Sequence, residues 1–74
     1  METYMTSDLY LSAFLKAKGF KLINTKRDGK KVIFIFEDKK DRNELIRKFF
    51  DNGLVNVRDF RSAIQDLKTI VFNT

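Results

Sequence analysis

FKLINTKRDGKKVIFIFE, residues 20–37, decides the fold. Two β-rich runs flank Asp28-Gly29. Asp-Gly in that position is a strong hairpin signal, because tight hairpin turns need residues that tolerate positive φ. With Asp28 and Gly29 as the loop pair, Lys26 faces Lys31, Asn24 faces Ile33 and Leu22 faces Ile35. Those side chains share one face with Phe20, while Lys21, Ile23, Thr25, Val32, Phe34 and Phe36 share the other. The unbroken apolar run from Val32 to Phe36 reads as a strand buried on both sides. A lone hairpin cannot bury itself, so helices or a second subunit must cover it.

The flanks supply helices. Upstream, Thr6-Ser7-Asp8 offers side-chain oxygens for an N-cap, and LYLSAFLKAK follows as a helix that stops at Gly19. Its surface is apolar apart from a stripe of Asp8, Ser12 and Lys16, so it needs cover on more than one side. Downstream, Asp38 is placed to cap a second helix that runs to about Asp51. Arg42, Leu45, Ile46, Phe49 and Phe50 keep helical spacing there, and Asn52-Gly53 ends it. Asn56 caps a third helix, in which Val57, Phe60, Ile64, Leu67 and Val71 fall on one stripe. The β-branched tail at 69–72 would also suit a strand, but Ile70 and Val71 stay in phase with Phe60, Ala63, Ile64 and Leu67, which favours helix. The expected fold class is α+β: helix, β-hairpin, helix, helix, packed as one domain over residues 1–74 with 1–5 flexible.

Composition narrows the chemistry. A chain of 74 residues makes one domain at most, and its stability is marginal. It has no Cys and no His, which excludes disulfides and thiolate or imidazole metal sites. The same absence removes the commonest general base and the strongest nucleophile. Asp38 with Asp41, or Asp41 with Glu44, offers paired carboxylates, but capping and the helix dipole already account for acids at a helix start. The three glycines are isolated, so no phosphate-cradling loop exists. The expectation is a non-enzymatic domain with no cofactor, no metal and no small-molecule substrate. No apolar run is long enough to span a bilayer, and METYMTSD lacks the features of a signal peptide, so a cytoplasmic location is expected.

The charge is more informative than its total of +5. Residues 16–31 hold seven cations (Lys16, Lys18, Lys21, Lys26, Arg27, Lys30 and Lys31) against Asp28, a net +6. Lys26, Arg27, Lys30 and Lys31 crowd the expected hairpin tip, and Lys18 and Lys21 lie upstream. Cations on a projecting β-ribbon contact phosphates more than bases, which gives salt-sensitive, non-specific affinity. Lys26 opposite Lys31 would repel, a cost that hints at a task for the pair. The plainer alternative is that these cations keep the hairpin soluble and block edge pairing.

A second class of function competes. The apolar surface is large for the chain's size, and Tyr4, Tyr10, Phe49, Phe50 and Phe72 are candidate contacts of a protein interface or homodimer. An acidic protein would also suit the basic tip. No stretch pairs a basic face with a distinct aromatic face, so no membrane partner is expected.

TSDLYLSAFLKAKGF, the basic hairpin, VIFIFED and the closing DLKTIVFN together resemble a small family of bacterial and phage proteins known as a domain of unknown function. The resemblance spans Tyr4 to Asn73. It implies a self-contained small domain of prokaryotic or phage origin, and it carries no activity, cofactor or catalytic residue with it.

Overall fold

The computed structural model describes residues 2–73. In chain order the elements are β1 (Thr3–Thr6), α1 (Leu9–Ala17), β2 (Leu22–Asp28), β3 (Lys31–Glu37), α2 (Arg42–Phe50) and α3 (Val57–Phe72). The protein is therefore α+β, with helix, hairpin, helix, helix in the expected order. The sequence reading lacked β1, which lies where flexibility was expected. Thr3–Thr6 pairs antiparallel with β3, Tyr4 opposite Phe36 and Thr6 opposite Phe34. The sheet order is β1-β3-β2, so the VIFIF strand is central.

The hairpin forms, but its register differs from the expected one. Asp28 pairs with Lys31, Arg27 with Val32, Lys26 with Ile33, Thr25 with Phe34 and Asn24 with Ile35. The turn pair is thus Gly29-Lys30. Gly29 has φ +64 while Lys30 is not among the residues of positive φ, the pattern of a type II′ turn. The physical reason is plain. The type I′ alternative needs positive φ at Asp28 and sets Lys26 against Lys31. The observed turn gives the positive φ to glycine and puts an acid opposite a base. The expected repulsion between Lys26 and Lys31 is absent.

A bulge between Leu22 and Asn24 also moves Leu22 opposite Phe36, off the face assigned to it from sequence. Ile23 occupies the bulge. Phe20, Leu22, Thr25 and Arg27 therefore lie on the side of Val32, Phe34 and Phe36, and Asn24, Lys26 and Asp28 lie on the other.

All three helices contribute to one side of the sheet. Leu11, Ala13 and Leu15 of α1, Phe20, Val32, Phe34 and Phe36, and Ala63 and Leu67 of α3 form the buried cluster. Ser12, which the sequence placed on a polar stripe, is fully buried. Its hydroxyl donates to the Asp8 carbonyl at 2.7 Å, so its polar group is satisfied inside the core. Asp8 caps α1 by accepting from the Leu11 N–H at 3.0 Å. Gly19, at φ +98, closes it: Phe20 N–H bonds the Leu15 carbonyl and Gly19 N–H the Lys16 carbonyl, a Schellman motif.

Helix α2 sits more loosely. None of its residues is fully buried, though Leu45, Ile46 and Phe49 lean on the core. Asp38 does not cap it. The helix starts at Arg42 after Asp41, whose side chain makes no capping bond. Asp38 accepts instead from the Lys39 N–H and takes both Nε and Nη2 of Arg42, at 3.1 and 3.2 Å. The Arg42 guanidinium also lies 4.4 Å from the centre of the Tyr4 ring. Arg42 thereby ties α2 to β1 and to the chain leaving β3, which explains its place on the inward stripe. At the other end Asn52, at φ +59, turns the chain, and Gly53 N–H returns to the Lys48 carbonyl.

Helix α3 begins with Asn56 accepting from the Asp59 N–H and runs as one helix through the β-branched tail to Phe72. Burial of Ala63 and Leu67 on its stripe outweighs the strand preference of Thr69-Ile70-Val71. No helix among the described residues is long and apolar enough to cross a membrane.

The far side of the sheet carries no helix. Ile33 and Ile35 belong to no part of the core cluster, and Met5 and Ile23 are 58% and 39% exposed. The central strand was expected to be covered on both sides. In this chain only one side is covered, and Ile33 and Ile35 are sheltered laterally by the strands beside them.

Candidate functional site

The hairpin tip gathers positive charge because the turn forces it to. Gly29-Lys30 reverses the chain, so Arg27 and Lys31, on either side of the turn, come within one ladder step of each other. Strand alternation then sorts the side chains. Arg27 points to the helix side with Val32, and Lys26 to the open side with Ile33. Arg27 reaches the end of α3, where its Nη2 donates to the Val71 carbonyl at 3.3 Å. A cation is favourable there, because the last carbonyls of a helix carry partial negative charge.

Between the tip, the start of α1 and the end of α3 lies a groove of about 380 Å³. Arg27, Lys30, Lys31 and Ser7 border it, and Leu9, Val32, Phe34 and Val71 supply its apolar lining. The ion pairs among the described residues are Arg42 with Asp38 and Lys48 with Glu44. None of Lys26, Arg27, Lys30 and Lys31 takes part in either. The groove is thus bordered by three cations that form no ion pair among the described residues, beside a hydroxyl and the first turn of a helix.

The six basic residues singled out in the sequence do not form one patch. Lys18 and Lys21 belong to the opposite end of the hairpin. Seven strand residues at about 3.3 Å each set them roughly 20 Å from the tip. Lys18 caps α1 with its ammonium 5.6 Å from the Phe14 ring centre. Lys39, nearby in the fold, donates to the Gly19 carbonyl and lies over Phe20. The site reduces to Arg27 and Lys30 with Lys31 at its rim, since alternation turns the Lys31 side chain, like that of Lys26, toward the open side of the sheet. Ser7, Leu9 and Val71 were not foreseen. Val71 lies 44 residues from Arg27, and no local pattern signals that meeting.

The aromatic interface residues are also dispersed. Tyr4 lies half-buried on the helix side of β1 beneath Arg42. Phe49 is half-buried against Phe14, with ring centres 5.3 Å apart, and touches Phe50 at 5.1 Å. Tyr10, Phe50 and Phe72 are exposed, on α1, α2 and α3 respectively. Among the described residues, ring contact joins Phe49 to Phe50 and neither to the tyrosines or Phe72.

The acidic pairs have structural occupations. The Arg42 guanidinium beside Asp38 holds that carboxyl below its ordinary pKa, and Asp38 in turn raises Arg42. Glu44 pairs with Lys48 one turn on, at 3.5 Å. No cluster of three or more acidic residues among those described could hold a metal ion.

A family profile matches residues 1–73, that of Domain of unknown function (DUF5659). The chain belongs to this family. The match confirms the resemblance seen in the sequence at the level of the family, and covers nearly all of the chain. No curated protein and no solved structure matches it.

Proposed function

We propose that this DUF5659 domain is a non-enzymatic binding module that holds the phosphate backbone of a nucleic acid at the hairpin tip. The observation that supports the reading is the groove between the tip and the helix ends, bordered by Arg27, Lys30 and Lys31, none of which forms an ion pair among the described residues. Phosphate oxygens suit such a place, since Arg offers a planar fork of donors and the two lysines add mobile point charges. The flanking Ser7 hydroxyl is a further donor. Phe34, the aromatic side chain in the lining of the groove, is 2% exposed and so is not free to stack a base. Binding of this kind reads charge and shape more than sequence.

The experiment is a fluorescence titration of labelled duplex and single-stranded DNA and RNA at several salt concentrations. Log K is expected to fall linearly with log salt, by about 0.9 per duplex phosphate neutralised. Lys30→Glu with Lys31→Glu should abolish binding at low salt, while Lys18→Glu should leave it nearly intact. No binding at low salt, or binding indifferent to the tip pair, would overturn the reading. An acidic polypeptide that competes at the same site more strongly than any nucleic acid would shift it to a protein partner.

A further inference from the structure

The open side of the sheet carries a pattern that fits a second copy of itself. Along β3 the outward residues are Lys31, Ile33, Ile35 and Glu37: cation, apolar, apolar, anion. β2 repeats the polarity in reverse. Asp28 lies beside Lys31, and Lys21, whose carbonyl accepts from the Glu37 N–H, lies beside Glu37. Phe20 is buried and Leu22 faces the core side, so alternation turns Lys21 outward.

We infer that this face is the interface of a two-fold homodimer, in which two sheets pack face to face with their β3 strands antiparallel. A two-fold axis between the sheets and perpendicular to the strands sets each β3 over its own copy in reverse. Lys31 then meets Glu37 of the mate, Ile33 meets Ile35, and Asp28 meets Lys21. Each contact occurs twice, as an isologous interface requires. A parallel arrangement of the two β3 strands would place Lys31 near Lys31 and Glu37 near Glu37, and is disfavoured.

Shape agrees with charge. Met5 stands beside Ile35 on β1 and is 58% exposed. The same axis carries it over the position of Ser7 in the mate. That spot borders a hollow of about 290 Å³ lined by Met5, Thr6, Ser7, Asp28, Lys31 and Ile33. Met is the side chain best able to adapt to such a space. The bulge residue Ile23 comes under the aliphatic stem of Lys26 from the mate. The contact would thus cover the apolar side chains that the helices leave open.

Three strands at about 4.8 Å and seven residues at about 3.3 Å span a face of only about 14 by 23 Å, below the size of a standard specific interface and in the range of weak, transient contacts. The dimer is therefore weak and reversible, and assembles without nucleic acid.

Sedimentation equilibrium and NMR tumbling times on the full chain, without nucleic acid, test it. The wild-type chain should dimerise reversibly as concentration rises. Ile35→Lys should abolish the dimer while its circular dichroism spectrum stays native. Lys31→Glu and Glu37→Lys, each alone, should weaken it about tenfold, since symmetry doubles each like-charge contact. An equimolar mixture of those two variants should restore it, because every clash then becomes an opposite-charge pair. With 15N-labelled Glu37→Lys chain, adding the unlabelled Lys31→Glu chain should shift the Ile33 and Ile35 amides. A wild-type chain that stays monomeric at millimolar concentration overturns the proposal. So does a dimer that survives Ile35→Lys, or a mixture no tighter than its components.

Discussion

The two ends of the hairpin carry similar charge and use it differently. At the base, cations are absorbed by the fold: Arg42 by Asp38 and Tyr4, Lys39 by Gly19 and Phe20, Lys18 by Phe14. At the tip, Arg27, Lys30 and Lys31 border an open groove, and of the three only Arg27 makes a side-chain hydrogen bond among the described residues, to a helix carbonyl. A basic run in sequence is therefore not a basic site. What separates them is how many of their cations already have a carboxylate, carbonyl or ring within reach. The base spends its cations on joining elements, whereas at the tip Arg27 alone does so, and Lys30 and Lys31 stay available to an anion from outside.

If that division is right, substitutions at the base should damage folding and those at the tip should damage binding. The largest effect is expected for Phe36→Ala, which empties a fully buried position at the base of β3. Urea unfolding should show a loss of about 3–5 kcal/mol, enough to unfold much of a small domain. Phe36→Leu should recover most of it.

The glycines at the two ends sharpen the comparison. Gly19 closes α1 at φ +98 and Gly29 turns the tip at φ +64. Apart from its chain neighbours, a Cβ at Gly19 would meet among the described residues the Lys39 ammonium at 3.8 Å, and one at Gly29 would meet no atom within 4 Å, so backbone strain should set the cost. Gly19→Ala should lose roughly 1–2 kcal/mol and Gly29→Ala about 1 kcal/mol, read from thermal or urea midpoints. Only the second sits where a change could also alter anion binding.

Acid should act through the base. The folded Asp38 carboxyl has a lowered pKa, chiefly through its hydrogen bond from Arg42. A carboxylate of that kind lends stability above its ordinary pKa and loses it as pH falls through the depressed folded value. Arg42 stays protonated throughout this window. Urea midpoints should therefore fall on acidification below the ordinary carboxylate range, and less steeply in Asp38→Asn. Equal pH profiles for the two proteins would remove Asp38 from the account.

The smallest stability effect belongs to Lys30→Ala, at an exposed turn position, which should change the unfolding free energy by no more than about 0.5 kcal/mol. Its salt slope for nucleic acid should nonetheless drop by about one unit. A stability loss without a change in slope would reverse the roles assigned to tip and base.

Much of this fold can be read along the chain. Asp8, Gly19 and Asn56 mark helix ends, because capping is a local transaction between a side chain and the next turn. The hairpin is announced by Asp28-Gly29, and α3 by its apolar stripe. The register was not legible, since Asp-Gly supports two turns and cross-strand pairing chose between them. Nor was β1. Thr3–Thr6 has no partner nearby in sequence, and becomes a strand only because β3, about 30 residues later, offers an unpaired edge. Among the candidate site residues, Lys30 and Lys31 kept their place at the tip because a turn exposes what it contains. Lys18 and Lys21 left the site because strand length carries them away.

By itself, then, the sequence determined the three helices and the hairpin, the charged tip and the absence of thiol and imidazole chemistry. All of these follow from residue identity and from spacings shorter than a helix turn or a hairpin. The tertiary structure decided which cations are occupied, that Arg27 and Val71 meet across a groove, and that one side of the sheet stays open. Those are questions of distance between residues far apart in the chain, which the packing of Phe34, Phe36, Leu15 and Leu67 into one core answers.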